Sequence, residues 1–226
     1  MVTPTPKEPQ SRELEALLEH PAIWCGRSAA RVATRSTGYA ELDAALPGGG
    51  WPAQGLVEIL TSRSGVGEIQ LLVPLLVQSG QLAPPRWAAW VAPPFEPYAP
   101  ALVAAGVPLA QQLIIRTAQP LWAIEQALSS GGCAMVLGWP GPRPGITALR
   151  RLQLAAQRGG TPAFLFRPLG EATCSSIAEL RIVCEPLPMA QPGVRPGTQP
   201  GAQLQLLKSR GGLRSPFSVH WNHGQT

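Results

Sequence analysis

The stretch from Arg35 to Gln70, RSTGYAELDAALPGGGWPAQGLVEILTSRSGVGEIQ, constrains the fold more than any other part of the chain. An Asp-bearing amphipathic turn and a glycine run precede an apolar strand, Leu56 to Leu60, which a Ser/Gly loop joins to a new helix. That is the layout of a phosphate-binding P-loop, in which backbone N–H groups and a helix N-terminus cradle the anion while a Lys and a hydroxyl engage phosphate and Mg²⁺. The chemistry of G-x-x-x-x-G-K-[ST] is absent. With Gly67 as the second glycine, Glu68 stands where the lysine belongs and Ile69 where the magnesium-binding hydroxyl belongs. A carboxylate repels a polyphosphate, and an Ile side chain ligates no metal. The stretch predicts a nucleotide-binding scaffold that has lost its nucleotide.

A chain of 226 residues is long enough for one good-sized α/β core with short appendages. Charged residues are only 14% against 45% apolar, which predicts a folded globular protein. The 26 prolines and 24 glycines cluster at turns and in one linker and act as punctuation. Cys25, Cys133, Cys174 and Cys184 lack zinc-site spacing, and their scatter suggests a reduced cytoplasmic protein. The N-terminus has no apolar h-region and no uncharged run is long enough to span a bilayer, so no export or membrane signal is expected. Charge is uneven: residues 140–226 carry ten basic against three acidic side chains, a footprint suited to nucleic acid or an acidic partner, or to a basic face with no ligand.

In chain order, residues 1–35 read as a polar tail, a short amphipathic helix from Ser11 and a connector in which Ile23 and Trp24 anchor to the core or to a neighbouring subunit. Residues 36–226 read as the main domain. Helices are expected over Gly67–Ser79, kinked at Pro74, and over Tyr98–Ala105, Pro120–Ser130 and Ile146–Arg158. Strands are expected at Arg86–Ala92, Leu113–Arg116, Ala134–Leu137, Pro162–Phe166 and Ala178–Glu185. This alternation implies βαβ units and a mostly parallel, doubly wound sheet. Residues 186–201 read as a flexible Pro/Gly-rich loop, and 202–226 as a terminal β-hairpin with a Gly/Arg turn. Lys208, Arg210 and Arg214 on that hairpin, with Trp221, are candidate contacts for DNA or a protein partner; Trp122 and Trp139 are further candidates, as core or as contact.

The run Ser36-Thr37-Gly38, Leu42-Asp43, Leu46, Gly48-Gly49-Gly50, Pro52 and Val57-Glu58-Ile59 resembles the approach to the P-loop in the RecA recombinase family. The resemblance implies a RecA-like P-loop NTPase core with a degenerate site. It puts Pro94 where that family has its catalytic glutamate and Gly138 where it has the magnesium-binding aspartate. Loss of phosphate clamp, water activator and metal ligand together predicts no catalysis and no cofactor. Over most of its length, including WVAPPFEPYAPALVAAGV and LWAIEQALSSGGCAMVLGW, the chain resembles the ImuA family, RecA-like proteins of bacterial translesion DNA synthesis distantly related to the SulA division inhibitors. That resemblance implies a non-enzymatic adaptor of the SOS response, cytoplasmic or nucleoid-associated. It would contact an ImuB-like polymerase homologue, RecA, an error-prone C-family polymerase and DNA. Two alternatives stand beside it: a SulA-type inhibitor of the tubulin-like division protein, and an active ATPase in which Arg63 supplies the missing positive charge.

Overall fold

The computed structural model describes residues 33–187, 200–209 and 215–221. The tail helix and Ile23/Trp24, most of the 186–201 loop, and Arg210 and Arg214 lie outside them. Among the described residues the chain forms a two-residue ladder, β1 (Thr34–Arg35) with β2 (Trp51–Pro52), and one large sheet of eight strands. The sheet holds β3 (Gly55–Thr61), β4 (Trp87–Val91), β5 (Gln112–Ile115), β6 (Cys133–Gly138), β7 (Pro162–Pro168), β8 (Leu180–Pro186), β9 (Gly201–Lys208) and β10 (Phe217–His220). Their order is β10-β9-β8-β3-β7-β6-β4-β5, with parallel pairing from β8 to β5 and antiparallel pairing of β9 and β10 at one edge.

β3 lies at the centre between β7 and β8, and all seven of its residues are buried, as expected of a parallel strand covered on both faces. One face packs under α1 (Ala40–Ala45), α2 (Val73–Ser79) and α3 (Ala99–Ala104) through Leu42, Leu72, Leu76 and Leu102. The other packs under α4 (Pro120–Ser129) and α5 (Ile146–Gly159) through Ile124, Leu128, Leu149 and Leu152. α3 stops where the chain reverses at Gly106, whose successor Val107 donates its N–H to Leu102 O at 2.9 Å, closing a Schellman turn. α2 differs from the expected Gly67–Ser79 helix. Residues Gln70–Leu72 form a 3₁₀ turn, the α-helix begins at Val73, and Pro74 sits in the first turn, where its missing N–H costs nothing, so it does not kink the helix.

The Ser36–Asp43 motif has a structural use. Asp43 accepts hydrogen bonds from Ser36 Oγ and Thr37 N, both at 2.7 Å, and so fixes the turn that opens α1. Val57-Glu58-Ile59 is explained likewise. Glu58 is fully buried on β3 and accepts from Arg181 Nε at 2.7 Å, from Ser176 Oγ at 2.7 Å and from Arg167 Nη1. Arg167 also pairs with Glu171, while Arg181 donates to the carbonyls of Glu171, Ala172 and Cys174. This network pins the segment between β7 and β8, which has only the short 3₁₀ turn Leu169–Glu171 of its own, to the sheet.

Two arginines of the basic C-terminal part, Arg167 and Arg181, are therefore consumed in the interior rather than presented to a partner. Removing one member of a buried, hydrogen-bonded ion network leaves its partners uncompensated. Glu58→Ala should accordingly lower the free energy of unfolding by about 3–5 kcal/mol, measured by urea denaturation. A second expectation concerns pH. Burial, and after it the carboxylates of Glu68 and Glu185, push the Cys184 thiol up from 9.0 to about 12, and burial pushes Tyr39 up from 10.0 to about 12. Both groups hold their protons longer folded than unfolded. Their contribution should be intact below about pH 9 and fall as pH rises toward about 12, with Cys184→Ala and Tyr39→Phe each flattening the decline in urea midpoint.

Candidate functional site

In an open parallel sheet, ligands and partners meet the crevice outside the carboxyl ends of the strands, where successive connections depart to opposite faces. Here β4 leads into α3 on one face and β6 into α5 on the other. Between their ends, and bounded by the loop after β3, lies a crevice of about 250 Å³. Its floor is aromatic. Trp139 stacks on Phe166 at 4.5 Å between ring centroids and on Trp90 at 6.3 Å, and Trp90 Nε1 donates to Gln112 Oε1 at 2.9 Å. Its rim is the loop Ala92–Tyr98, stiffened by Pro93, Pro94 and Pro97, from which Phe95 and Tyr98 project 74% and 71% exposed.

The remaining wall is the Ser/Gly loop. Ser62 donates its N–H and its Oγ to the two oxygens of Glu185 at 2.8 and 2.7 Å. Gly65 and Val66 donate their N–H groups to the two oxygens of Glu68, each at 2.8 Å. Gly67 takes φ +102°, and a Cβ there would lie 2.6 Å from the Trp221 ring, so the turn closes only with glycine. Amides that a phosphate would need are thus already bound by the chain's own carboxylates.

The residues singled out in the sequence are distributed as follows. Glu68 is buried and self-bound, and Ile69 packs partly buried on the core beside it. Pro94 is exposed on the rim. Gly138 is buried at the end of β6, where a Cβ would meet Ile124 Cδ1 at 2.6 Å, so no carboxylate can stand there without repacking. Lys208 donates its ammonium to Ser176 O at 2.9 Å across the sheet edge. Trp221 is a core residue, 7% exposed and packed edge-on to Tyr39 at 5.7 Å, so its surface is not offered to a partner. Trp139 is half-buried in the crevice floor, and Trp122 is 57% exposed on α4. Phe95 and Tyr98 were not predicted as site residues; the signal available for them was a Pro-Pro-Phe-x-Pro-Tyr run directly after a strand. Among the described residues no three His, Cys, Asp or Glu side chains converge to hold a metal ion, and no helix is long and apolar enough to cross a membrane.

Comparison with known proteins places this architecture. The family profile described as "Cell division inhibitor SulA" matches residues 55–163, the part of the chain that builds β3 to β6, the first two residues of β7 and the crevice. Curated SulA proteins match at 40% identity in Edwardsiella piscicida, over 43% of this chain and 58% of that protein, and at 36% in Photorhabdus laumondii, over 50% and 63%. SulA of Yersinia enterocolitica matches at 35% identity over 50% of this chain and 68% of its own length. The chain thus spans about three fifths of the first two relatives. The crystal structure of SulA from Pseudomonas aeruginosa aligns with a TM-score of 0.41 and 25% identity, over 50% of this chain and 97% of that one.

These findings correct the expectations drawn from the resemblances to the RecA and ImuA families. The similarity found is to SulA rather than to ImuA, which removes the ground for a translesion adaptor contacting an ImuB-like homologue, RecA, the error-prone polymerase or DNA. The RecA-like P-loop core, and with it the ATPase alternative, is corrected as well. The motif residues that suggested it fix a turn and a buried ion network, and the loop amides are taken by Glu68 and Glu185. The chain belongs to the SulA family of cell division inhibitors.

Proposed function

We propose that this chain is a SulA-type inhibitor of cell division in the SOS response. It acts in the cytoplasm by contact rather than turnover, with the tubulin-like division protein as its target. The observation that carries this reading is the match of residues 55–163 to the division-inhibitor family, because that segment supplies the crevice and its rim. The chemistry of the crevice supports a binding role. Its inner carboxylate, Glu68, is engaged by the chain's own amides, and Glu96 on the rim pairs with Arg116. Phe95 and Tyr98 are suited to contact: large amphipathic surfaces on a proline-stiffened loop are immobilised at small entropic cost.

Expression in undamaged bacterial cells tests the reading, with cell length as the readout. Filamentous cells are expected from the wild-type chain, and cells of ordinary length from Phe95→Ala/Tyr98→Ala. Two hot-spot aromatics removed together weaken binding by about 2–4 kcal/mol, roughly 30-fold to 1000-fold. Cells of ordinary length with soluble, folded wild-type chain would contradict division inhibition. Filamentation undiminished in the double variant would leave inhibition standing but move its surface away from this rim.

A further inference from the structure

The loop after β3 contains a binding arrangement that the proposed inhibition does not use. Gly65 and Val66 direct two successive N–H groups onto one carboxylate, gripping each oxygen at 2.8 Å. Converging backbone donors of this kind recognise oxyanions, and the acceptor here is an oxyanion in all but its covalent tether. Three observations set it apart from an ordinary turn. Glu68 is only 5% exposed, so its charge is withdrawn from water and satisfied chiefly by those donors. The loop is held from outside as well: Trp221 packs against Gly67, and Glu185 binds both donors of Ser62. Ser64, Gly65 and Glu68 also line one end of the crevice, so space vacated by the side chain opens to the cavity and to solvent.

We propose that the loop Ser62–Glu68 is an oxyanion cradle whose resident ligand is the Glu68 carboxylate, which keeps free phosphate and carboxylate groups out of the native crevice. The ligand class is a single small oxyanion. The loop offers two aligned amides, one for each of two oxygens of a single anion.

Full-length Glu68→Ala, titrated with inorganic phosphate, tests this through thermal unfolding and the amide resonances of Gly65 and Val66. Wild type and Glu41→Ala, which removes an exposed carboxylate of the same type, serve as references, with sodium chloride at matched ionic strength. The expected result is a saturable phosphate-specific rise in Tm, with shifts of both amide resonances, in Glu68→Ala alone. Equal responses in all three proteins, or a rise without amide shifts, would overturn the proposal. Glu68→Gln preserves the side-chain volume and keeps the test decisive if Glu68→Ala does not fold. Its single carbonyl oxygen replaces two, so at least one of the two amides should exchange hydrogen about tenfold faster or more. Phosphate should restore that protection, and unchanged exchange, or exchange indifferent to phosphate, would contradict the cradle.

Discussion

The loop after the central strand β3 keeps its shape because two carboxylates of the same chain, Glu185 and Glu68, accept its amides. The same device recurs at three other segments with little secondary structure of their own. Asp43 fixes Ser36 and Thr37 ahead of α1. Glu58 and Glu171, with Arg167 and Arg181, tie down the segment between β7 and β8. Glu171 also accepts the N–H of Arg143, at φ +49°, and so holds the loop after β6. Charge-assisted hydrogen bonds to carboxylates are stronger than neutral ones, and one broken in the interior leaves an expensive vacancy. The irregular edge of the sheet depends on them.

That dependence bears on function. A crevice at the carboxyl ends of parallel strands is the usual place for chemistry in this kind of sheet, yet Glu68 and Glu185 are committed to holding the loop after β3, and Glu96 on the rim pairs with Arg116. What remains available is shape and apolar surface. An aromatic floor of Trp90 and Trp139, the latter backed by the buried Phe166, supports a stiff rim bearing Phe95 and Tyr98. Rigid aromatic surface over a packed foundation is suited to gripping another protein, since little conformational freedom remains to be lost on contact.

Much of the element order was legible because its signals are local. Gly106 ends α3, Gly160 follows the end of α5, and the apolar run Leu56–Leu60 falls within β3. The late start of α2 was not legible, because Glu68 caps the loop amides instead of opening a helix, a choice made by tertiary geometry. Trp221 illustrates the same limit. Its sequence neighbours are consistent with an exposed hairpin end, and only the meeting of β10's end with Gly67 and Tyr39, more than 150 residues earlier, buries it. The resemblance to a RecA-like nucleotide site misleads for a related reason. Ser36–Thr37–Gly38, Asp43 and Glu58 were read as the approach to a nucleotide site, whereas their partners, Asp43 for the first and Arg167 and Arg181 for the last, give them purely structural work. The crevice rim was less legible because prolines and aromatics after a strand equally suit an ordinary loop.

Hydrogen–deuterium exchange of the purified chain, alone and with the tubulin-like division protein, reaches the central claim most directly. Backbone amides between Ala92 and Gly106 should gain protection in the complex, while those of β9 and β10 at the far edge of the sheet remain as they are. Saturating amounts of the division protein that leave every amide unchanged, or that protect the β9–β10 edge alone, would contradict an inhibitor that works through the crevice.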